Sequence, residues 1–315
     1  MTTKVEDRMT ERTRKFWDLH PPDKVEDVKV GEYKLKSYVL GSEHEETVFI
    51  VNGGPGAACD YLRDSHSFLV DHGYRLIAYD QLGTGNSDRP EGRSDLWTIE
   101  RYAAELEAVR VHFNLEGFHL LGHSWGGWLI LEYLSSFSPN LKSLILESTC
   151  VDIPFFKSEL TRLRMALGTE AVAMMQRHEL QGTFDHPEYK AAITLLNYRH
   201  FCRLQEYPPP VLRTFASYNM EPYRTIQGEN EFVFDGNMSD WQRIDTLAKV
   251  DAPVLLTVGY HDEITPACTR QMKSRLSNCE VALFEHSSHQ PFYEEPALFQ
   301  ERLVSFLKRV NGVCS

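Results

Sequence analysis

The sequence predicts an α/β protein, with a mostly parallel eight-stranded sheet and helices on both of its faces. Short apolar runs rich in β-forming residues recur along the chain, and most end in Gly, Ser, Asp or Asn. Strands that are buried on both faces have this pattern. Helical patterns separate the first four parallel-type runs, and an alternation of strand and helix is typical of parallel sheets.

The predicted strands follow in chain order. Residues 26–40, "EDVKVGEYKLKSYVL", alternate polar and apolar residues around a glycine and predict an antiparallel hairpin. Helix "TIERYAAELEAVRVHF" has apolar residues three and four apart with Thr98 as its N-cap, and "WGGWLILEYLSSF" predicts a second helix. The six remaining strands are predicted at "TVFIVNGG", "RLIAYDQLG", "FHLLGHS", "SLILEST", "PVLLTVG" and "EVALFEH".

The strand pattern stops after "LILESTCVDIP" and resumes at "DAPVLLTVG". The stretch between them shows helical patterns, including "SELTRLRMALGTEAVAMMQRHEL" and "PEYKAAITLLNYRHFCRL", and a "YPPP" break. It is too long for a loop, so we expect a helical cap over the strand ends, where open α/β sheets bind ligands. The predicted domains are a core in two parts, 1–152 and 238–315, and a cap at 153–237.

Composition excludes several classes of protein. The 315 residues carry a net charge of −12, which disfavours a nucleic-acid partner because phosphate contacts require clustered Lys and Arg. The start, "MTTKVEDRMTERTRKFWDLHPPD", has no apolar run, so we expect neither a secretory signal nor a membrane partner. Scattered cysteines without CxxC pairs argue against a metal cluster or a disulfide framework and indicate a cytoplasmic protein. These cysteines are Cys59, Cys150, Cys202, Cys268, Cys279 and Cys314. No His/Asp/Glu cluster has a convincing zinc spacing, and we expect no metal and no cofactor.

The stretch "LLGHSWGG" contains the candidate nucleophile, Ser124. It follows a predicted strand and precedes a predicted helix, which is the setting of a nucleophile elbow. Gly122 and Gly126 suit the tight turn because side chains there would collide with neighbouring backbone, and Gly127 lets the helix approach the sheet. A serine hydroxyl is a poor nucleophile alone, so a base must lie nearby.

The candidate base and its orienting carboxylate follow the last two strands. "FEHSSHQPFYEEP" offers His289, which lies further into the loop and is favoured, and His286 as the rival. "VLLTVGYHDEITP" offers Asp262 as the orienter and Glu263 as its rival. The resulting chain order of Ser, Asp and His is that of α/β-hydrolases. The oxyanion hole is expected from two backbone N–H groups, those of Trp125 and of Gly54 in "VNGGPG".

These segments resemble the proline iminopeptidases and tricorn-interacting aminopeptidases, a family of α/β-hydrolases. The resemblance covers nearly the whole chain. It rests on "NGGPG" at 52–56, "YDQLGTGNS" at 79–87, "GHSWGG" at 122–127, "HPEYKAA" at 186–192, "IQGENEF" at 226–232, "DW" at 240–241, "VGYHDEITP" at 258–266 and "HSSHQPFYEEP" at 286–296.

The resemblance implies a serine aminopeptidase that releases an N-terminal residue, proline or a small apolar one, from a peptide or amide with a free N-terminus. Family members bind the α-ammonium with carboxylates, and by position these are Glu231 and Glu263, with Glu229 as the alternative to the first. The family usually has His before Gly-Gly-Pro-Gly, whereas this chain has Asn52, whose amide can still hydrogen-bond.

Two other functions stay open at this point, and one is disfavoured. An amino-acid amide or ester hydrolase in a biosynthetic pathway would use the same chemistry on a different leaving group. A non-catalytic small-ligand receptor would keep the same fold. Ser124 argues against an epoxide hydrolase or dehalogenase, which would need Asp at that position. Candidates for the wall of an apolar side-chain pocket are Trp125, Phe155, Phe156 and Tyr223, although aromatic residues in a cap more often serve packing alone.

Overall fold

A computed structural model describes Phe16 and residues 20–312. Most of the charged N-terminal stretch, and Cys314, lie outside the described residues. Eight strands form one sheet in the order β1-β2-β4-β3-β5-β6-β7-β8. They are β1 (Lys24–Val30), β2 (Tyr33–Leu40), β3 (Glu46–Val51), β4 (Tyr74–Tyr79), β5 (Phe118–His123), β6 (Leu141–Glu147), β7 (Val254–Gly259) and β8 (Cys279–Phe284).

The strand directions agree with the sequence pattern. β1 and β2 form the predicted antiparallel hairpin, β2 pairs antiparallel with β4, and all later pairs are parallel. The predicted fold class, a mostly parallel eight-stranded sheet, is therefore confirmed. In a parallel sheet the carboxyl ends of the strands meet at one edge, so the loops that follow β3, β5, β7 and β8 are brought together.

Helices cover both faces of the sheet. Alternate residues of β3 point in opposite directions: Phe49 and Val51 belong to one buried cluster, and Val48 and Ile50 to another. The first cluster includes residues of the helices Ile99–His112 and Trp125–Ser136, and the second includes residues of the helices Asp60–His66 and Pro296–Val310. The helices of the core are α1 (Asp60–His66), α2 (Ile99–His112), α3 (Trp125–Ser136), α9 (Ile244–Leu247), α10 (Pro266–Lys273), α11 (Pro291–Glu294) and α12 (Pro296–Val310).

The chain between β6 and β7 forms helices, and its described residues add no strand to the sheet. These helices are α4 (Ile153–Met165), α5 (Thr169–Gln181), α6 (Pro187–His200), α7 (Pro209–Ala216) and α8 (Met220–Ile226). The single helical pattern expected across 158–180 is wrong, since it is divided between α4 and α5. Gly168, at φ +97°, provides the break in a conformation that glycine favours. Within 20–312, no helix is long and apolar enough to cross a bilayer.

Candidate active site

Ser124 lies in the tight turn between β5 and α3. Its backbone has φ 55° and ψ −124°, a conformation that residues other than glycine rarely adopt. A Cβ on Gly122 would lie 2.7 Å from the Gly126 carbonyl oxygen, and a Cβ on Gly126 would lie 2.1 Å from that of Val51. Only glycine fits at these two positions, for the reason inferred from the sequence. Strain of this kind is maintained by tight packing and is concentrated at functional sites.

His289 and Asp262 meet at the carboxyl ends of β8 and β7. Nδ1 of His289 lies 2.8 Å from Oδ1 of Asp262, and both side chains are buried. Because a carboxylate only accepts, Nδ1 carries the proton and Nε2 of the neutral ring is free to accept one. Burial alone would lower the pKa of His289. The charge and hydrogen bond of Asp262, followed by the charge of Glu231, outweigh burial, so the pKa is raised above its usual value.

The loop that carries His289 is held against the end of β7. A Cβ on Gly259, the last residue of β7, would lie 2.0 Å from the Ser288 carbonyl oxygen, so the two segments make a contact that only glycine allows. The Glu294 carboxylate, in α11, accepts hydrogen bonds from the backbone N–H groups of Ser288 and Gln290. Glu294 lies within "FYEEP", but no pattern in the sequence indicated a role for it. His286, the rival base, is exposed at the start of the same loop.

Gly54 and Trp125 present unused backbone donors beside Ser124. Gly54 and Ser124 line the same pocket, and a Cβ on the neighbouring Gly53 would lie 2.9 Å from the Ser124 Cβ. In the part of the chain that the structure describes, the N–H groups of Gly54 and Trp125 have no protein acceptor. An oxyanion hole requires two such unused donors beside the nucleophile, and the assignment of Gly54 and Trp125 to it stays a prediction.

A chain of hydrogen bonds connects the Gly-rich loop to the His289 loop through Tyr61 and His123. Nε2 of His123 donates to the His289 carbonyl oxygen at 2.9 Å, so Nδ1 of the neutral ring is an acceptor. The Tyr61 hydroxyl donates to that Nδ1 at 2.7 Å and accepts from the Gly53 N–H at 2.6 Å. Burial, reinforced by the charge of His289, lowers the pKa of His123 and keeps the ring neutral. No pattern in the sequence indicated a role for Tyr61.

Asn52 stabilises the Gly-rich loop through its side-chain amide. Its Nδ2 donates to the carbonyl oxygens of Gly53, at 3.1 Å, and Ala57, at 2.9 Å. The Gln81 amide donates to the Asn52 carbonyl oxygen at 3.1 Å and accepts from the Trp125 indole at 2.9 Å. With Asn52 in place of the usual family His, the loop is thus held by the Asn52 side chain, and Gln81 links it to Trp125, the residue after Ser124.

Ser124, His289 and Gly54 open onto one pocket of about 460 Å³, including the part open to solvent. The cap supplies much of its wall, through Phe201, Val211, Thr214, Phe215, Tyr218 and Glu231. The aromatic residues that the sequence suggested for this wall do not line it. Trp125 and Phe156 instead pack against Trp128 in the hydrophobic core.

Two carboxyl groups lie at the site. Glu231 lines the pocket and accepts a hydrogen bond from the Gln227 amide at 3.0 Å. Glu263 is only 2% exposed; its Oε1 lies 3.8 Å from Nε2 of His289, and its Oε2 has no hydrogen-bond partner among residues 20–312. Burial, followed by the charges of Glu231 and Asp262, raises the pKa of Glu263 well above its usual value. A buried carboxyl group without a partner is unfavourable unless a ligand supplies one.

The two rival carboxylates are placed differently from the favoured ones. Glu229 forms an ion pair with Arg224 at 2.8 Å and does not line the pocket. Glu263, the rival orienter, lies near Nε2 of His289, whereas Asp262 is hydrogen-bonded to Nδ1. The geometry therefore favours Asp262 as the orienting group and leaves Glu263 available for a ligand.

Comparisons with known proteins agree with this site. The family model for the alpha/beta hydrolase fold matches residues 46–296. The chain is 34% identical to a proline iminopeptidase of Saccharolobus solfataricus over 89% of this chain and 90% of that one. It is 36% identical to one of Lactobacillus delbrueckii subsp. lactis, over 88% and 95%. The chain belongs to the proline iminopeptidase family of α/β-hydrolases.

Solved structures support the same family. The crystal structure of VinJ superposes with a TM-score of 0.87 at 30% identity, covering 92% of this chain and all of that one. The proline iminopeptidase of Mycobacterium smegmatis gives 0.82 at 30% identity, covering 91% and 98%. As a member of this family the protein is an enzyme, a serine hydrolase, and its relatives support an aminopeptidase type of activity.

Proposed function

We propose that the protein is a serine aminopeptidase that releases a proline or a small apolar residue from the N-terminus of a peptide or amide. The observation that carries this proposal is the position of Glu263. Its buried carboxyl group, with one oxygen unpartnered, lies 3.8 Å from the His289 nitrogen that serves as the base. A substrate ammonium would supply the missing charge and hydrogen-bond donors.

The short distance to His289 favours an α-ammonium over a more distant amine. In an amino-acyl group the nitrogen lies about 2.5 Å from the carbonyl carbon, as standard bond lengths and angles require. The group that binds it must therefore lie beside the reacting atoms. Glu263 meets this condition, and Glu231 lines the same pocket as Ser124. An aminopeptidase needs both features.

Binding of the ammonium is coupled to proton release. Burial and two neighbouring carboxylates raise the pKa of Glu263, so its charged form is less favoured than in water before the substrate arrives. An adjacent cation favours the charged form of a carboxyl group. The substrate ammonium therefore promotes loss of the Glu263 proton and strengthens its own hydrogen bonds. A neutral N-acyl group offers no such gain.

Acylation follows from the arrangement around Ser124. His289 Nε2 takes the hydroxyl proton while Oγ attacks the substrate carbonyl carbon, and the C–O bond forms as the carbonyl electrons move to oxygen. The N–H groups of Gly54 and Trp125 stabilise the resulting oxyanion. Asp262 stabilises the imidazolium by accepting the Nδ1–H bond. His289 then protonates the leaving nitrogen, the C–N bond breaks, and an acyl-enzyme remains.

Deacylation repeats these steps with water. His289 removes a proton from the water as its oxygen attacks the acyl carbon, and the same two N–H groups stabilise the second oxyanion. The Ser124 oxygen leaves with the proton from His289. The products are the released amino acid and the shortened peptide, and the enzyme returns to its starting protonation state.

The experiment compares matched substrates that differ only at the N-terminus. Prolyl and alanyl anilides with a free amine should be hydrolysed, whereas their N-acetyl forms should react at least a hundred-fold more slowly in kcat/KM. Acetylation removes the positive charge and adds bulk beside Glu263. A simple acetate ester, which has no amine, controls for an intact Ser124. Equal rates for free and acetylated anilides would overturn the aminopeptidase assignment.

A second substrate series identifies the leaving group. Prolinamide, prolyl esters and prolyl peptides share one acyl group and differ only in what departs. A peptidase should retain kcat/KM as the leaving peptide is lengthened. A strong preference for the simple amide or ester would instead identify an amino-acid amide or ester hydrolase.

A further inference from the structure

Two histidines and a glutamate meet where α5 is joined to α6 in the cap. His178 lies in the last turn of α5, His186 is the N-cap of α6, and Glu188 lies in the first turn of α6. One nitrogen of each histidine and one oxygen of Glu188 all lie within 4.8 Å of one another. The sequence predicted no metal site because the spacing of these residues is not typical of zinc motifs, and the helix-turn-helix geometry brings them together.

His178 provides the second observation. It is 5% exposed, and its Nε2 is buried without a hydrogen-bond partner among the described residues. The Thr183 hydroxyl lies 2.7 Å from Nδ1 and also donates weakly to the His178 carbonyl oxygen at 3.4 Å. In that arrangement Nδ1–H donates to the hydroxyl oxygen, so Nε2 carries a lone pair. A metal-binding histidine is oriented in this way by a partner on its other nitrogen.

The distances suit a small divalent cation after modest side-chain rotation. Oε2 of Glu188 lies 3.6 Å from Nε2 of His178 and 4.0 Å from Nδ1 of His186. Tetrahedral zinc, with bonds of about 2.0–2.2 Å, requires ligand atoms about 3.3 Å apart. The His186 ring is stacked on the His178 ring at 4.4 Å between centroids, so it must turn out of this stack to point a nitrogen at the same ion. His186 and Glu188 are exposed, which allows this rotation. The hydrogen bonds that these groups make at present are long. The Glu188 N–H donates to Nδ1 of His186 at 3.3 Å, and Arg177 donates to the Glu188 carboxylate at 3.5 Å.

We propose that His178, His186 and Glu188 form a divalent-metal site that binds Zn²⁺, with water in the remaining position. Two imidazoles and one carboxylate form a donor set that zinc accepts readily. The bound ion would join the end of α5 to the start of α6. None of the three residues lines the pocket at Ser124, so the metal would stabilise the cap and take no part in the reaction.

Side-chain contacts connect the junction of α5 and α6 to the active-site pocket. Tyr189 packs against the His178 ring at 6.2 Å between centroids, and its hydroxyl accepts a hydrogen bond from Asn230 at 3.0 Å. Asn230 immediately precedes Glu231. A metal bound by His178, His186 and Glu188 therefore also stabilises the segment that carries Glu231, one of the two carboxylates of the pocket.

The test uses tag-free, full-length protein stripped with a chelator and exchanged into clean buffer. Titration with ZnCl₂, followed by calorimetry and by metal analysis after dialysis, should give one bound Zn²⁺ per chain. The double variant His186→Ala/Glu188→Gln changes only exposed side chains, but it also removes the N-cap of α6, so its Tm without metal is measured first and its zinc response is compared with that value. Its zinc affinity should fall at least ten-fold, and the zinc-dependent rise in Tm of the wild type should disappear.

The matched control is His112→Ala, which removes another partly exposed histidine 3.6 Å from a glutamate, Glu26. It should bind zinc as the wild type does. The stripped wild type should keep its peptidase activity within about two-fold, which separates this proposal from the proposed function. The metal site is overturned if the wild type binds no zinc, or if the double variant binds it with unchanged stoichiometry and affinity.

Discussion

The carboxyl edge of the sheet and the helical cap contribute to the same pocket in different ways. At the sheet edge, Ser124, Asp262 and His289 each follow a parallel strand, and close glycine contacts hold the turns in place. The cap contributes Glu231, Tyr218 and several apolar side chains from separate helices and loops. On the proposed function, the sheet edge supplies reactive groups with fixed geometry, whereas the cap supplies groups that recognise the substrate.

The two regions also differ in how their polar groups are satisfied. At the sheet edge, three hydrogen bonds run in series from the Gly53 N–H through Tyr61 and His123 to the His289 carbonyl oxygen. Together they determine which atom donates and which accepts in each bond. Facing the cap, Glu263 keeps an oxygen without a partner in residues 20–312. Asp262 also has one oxygen without a partner among these residues, but its other oxygen is hydrogen-bonded to Nδ1 of His289 and to the Ile264 N–H. On the proposed function, the unpartnered Glu263 oxygen is left for the substrate to satisfy.

The largest expected effect comes from the reactive groups at the sheet edge. Ser124→Ala, His289→Ala and Asp262→Asn should each lower kcat by roughly 10³-fold or more, with residual turnover from the oxyanion donors and from binding. The loss should be equal for free-amine and amine-free substrates because the reactive groups serve both. Steady-state kinetics on one anilide and one ester measure this.

His286→Ala is the matched control, since it removes an exposed histidine from the same loop. It should retain most of the activity. A reversed result, with His286→Ala inactive and His289→Ala active, would show that the assignment of the base is wrong.

The next largest effect distinguishes the role of Glu231 and Glu263 from that of the reactive groups, because it should depend on whether the substrate has an amine. Glu231→Gln and Glu263→Gln should each lower kcat/KM for a free-amine substrate by about ten- to a hundred-fold, because charge-assisted hydrogen bonds are lost. The simple ester should lose much less, since it has no ammonium. Glu229→Gln, whose partner is Arg224, serves as the control and should change neither rate. Equal losses on both substrates would assign these glutamates to folding or to support of the triad.

The same difference explains what the sequence predicted well and what it did not. Strand periodicity and terminal glycines are local signals, and parallel strands bring their carboxyl ends together, so the positions of Ser124, Asp262 and His289 followed from the pattern. Phe201 and Phe215 reach the pocket only because the cap helices pack over it, and no local periodicity indicates that packing. Tyr61 was missed for a related reason, because its role depends on contacts with residues distant in the chain.

A smaller effect tests the hydrogen-bond chain at the sheet edge. Tyr61→Phe leaves the Gly53 N–H without its acceptor and Nδ1 of His123 without its donor. We expect kcat to fall about ten-fold with KM nearly unchanged, because the loop that carries an oxyanion donor loses its anchor. Tyr133→Phe, which removes a hydroxyl bonded to Glu107, is the control. The positioning role fails if Tyr61→Phe lowers Tm as the control does and leaves kcat unchanged.

The smallest expected effect is a shift in the pH profile of kcat/KM. It tests whether Glu231, in the cap, raises the pKa of the base His289. Asp262 and then Glu231 raise the pKa of His289 against the effect of burial, so the acid limb of kcat/KM should lie above pH 6.5. Glu231→Gln removes a negative charge that favours the imidazolium, so the pKa of His289 must fall and the acid limb must move to lower pH.

The profile is best measured with the amine-free ester, because Glu231 then affects the rate only through His289. With a free-amine substrate, activity should also decline above about pH 8, as the α-ammonium loses its proton. The ester should show no such alkaline limb. An acid limb that stays in place in Glu231→Gln would mean that the cap carboxylate does not influence the base, and that its role is confined to holding the substrate.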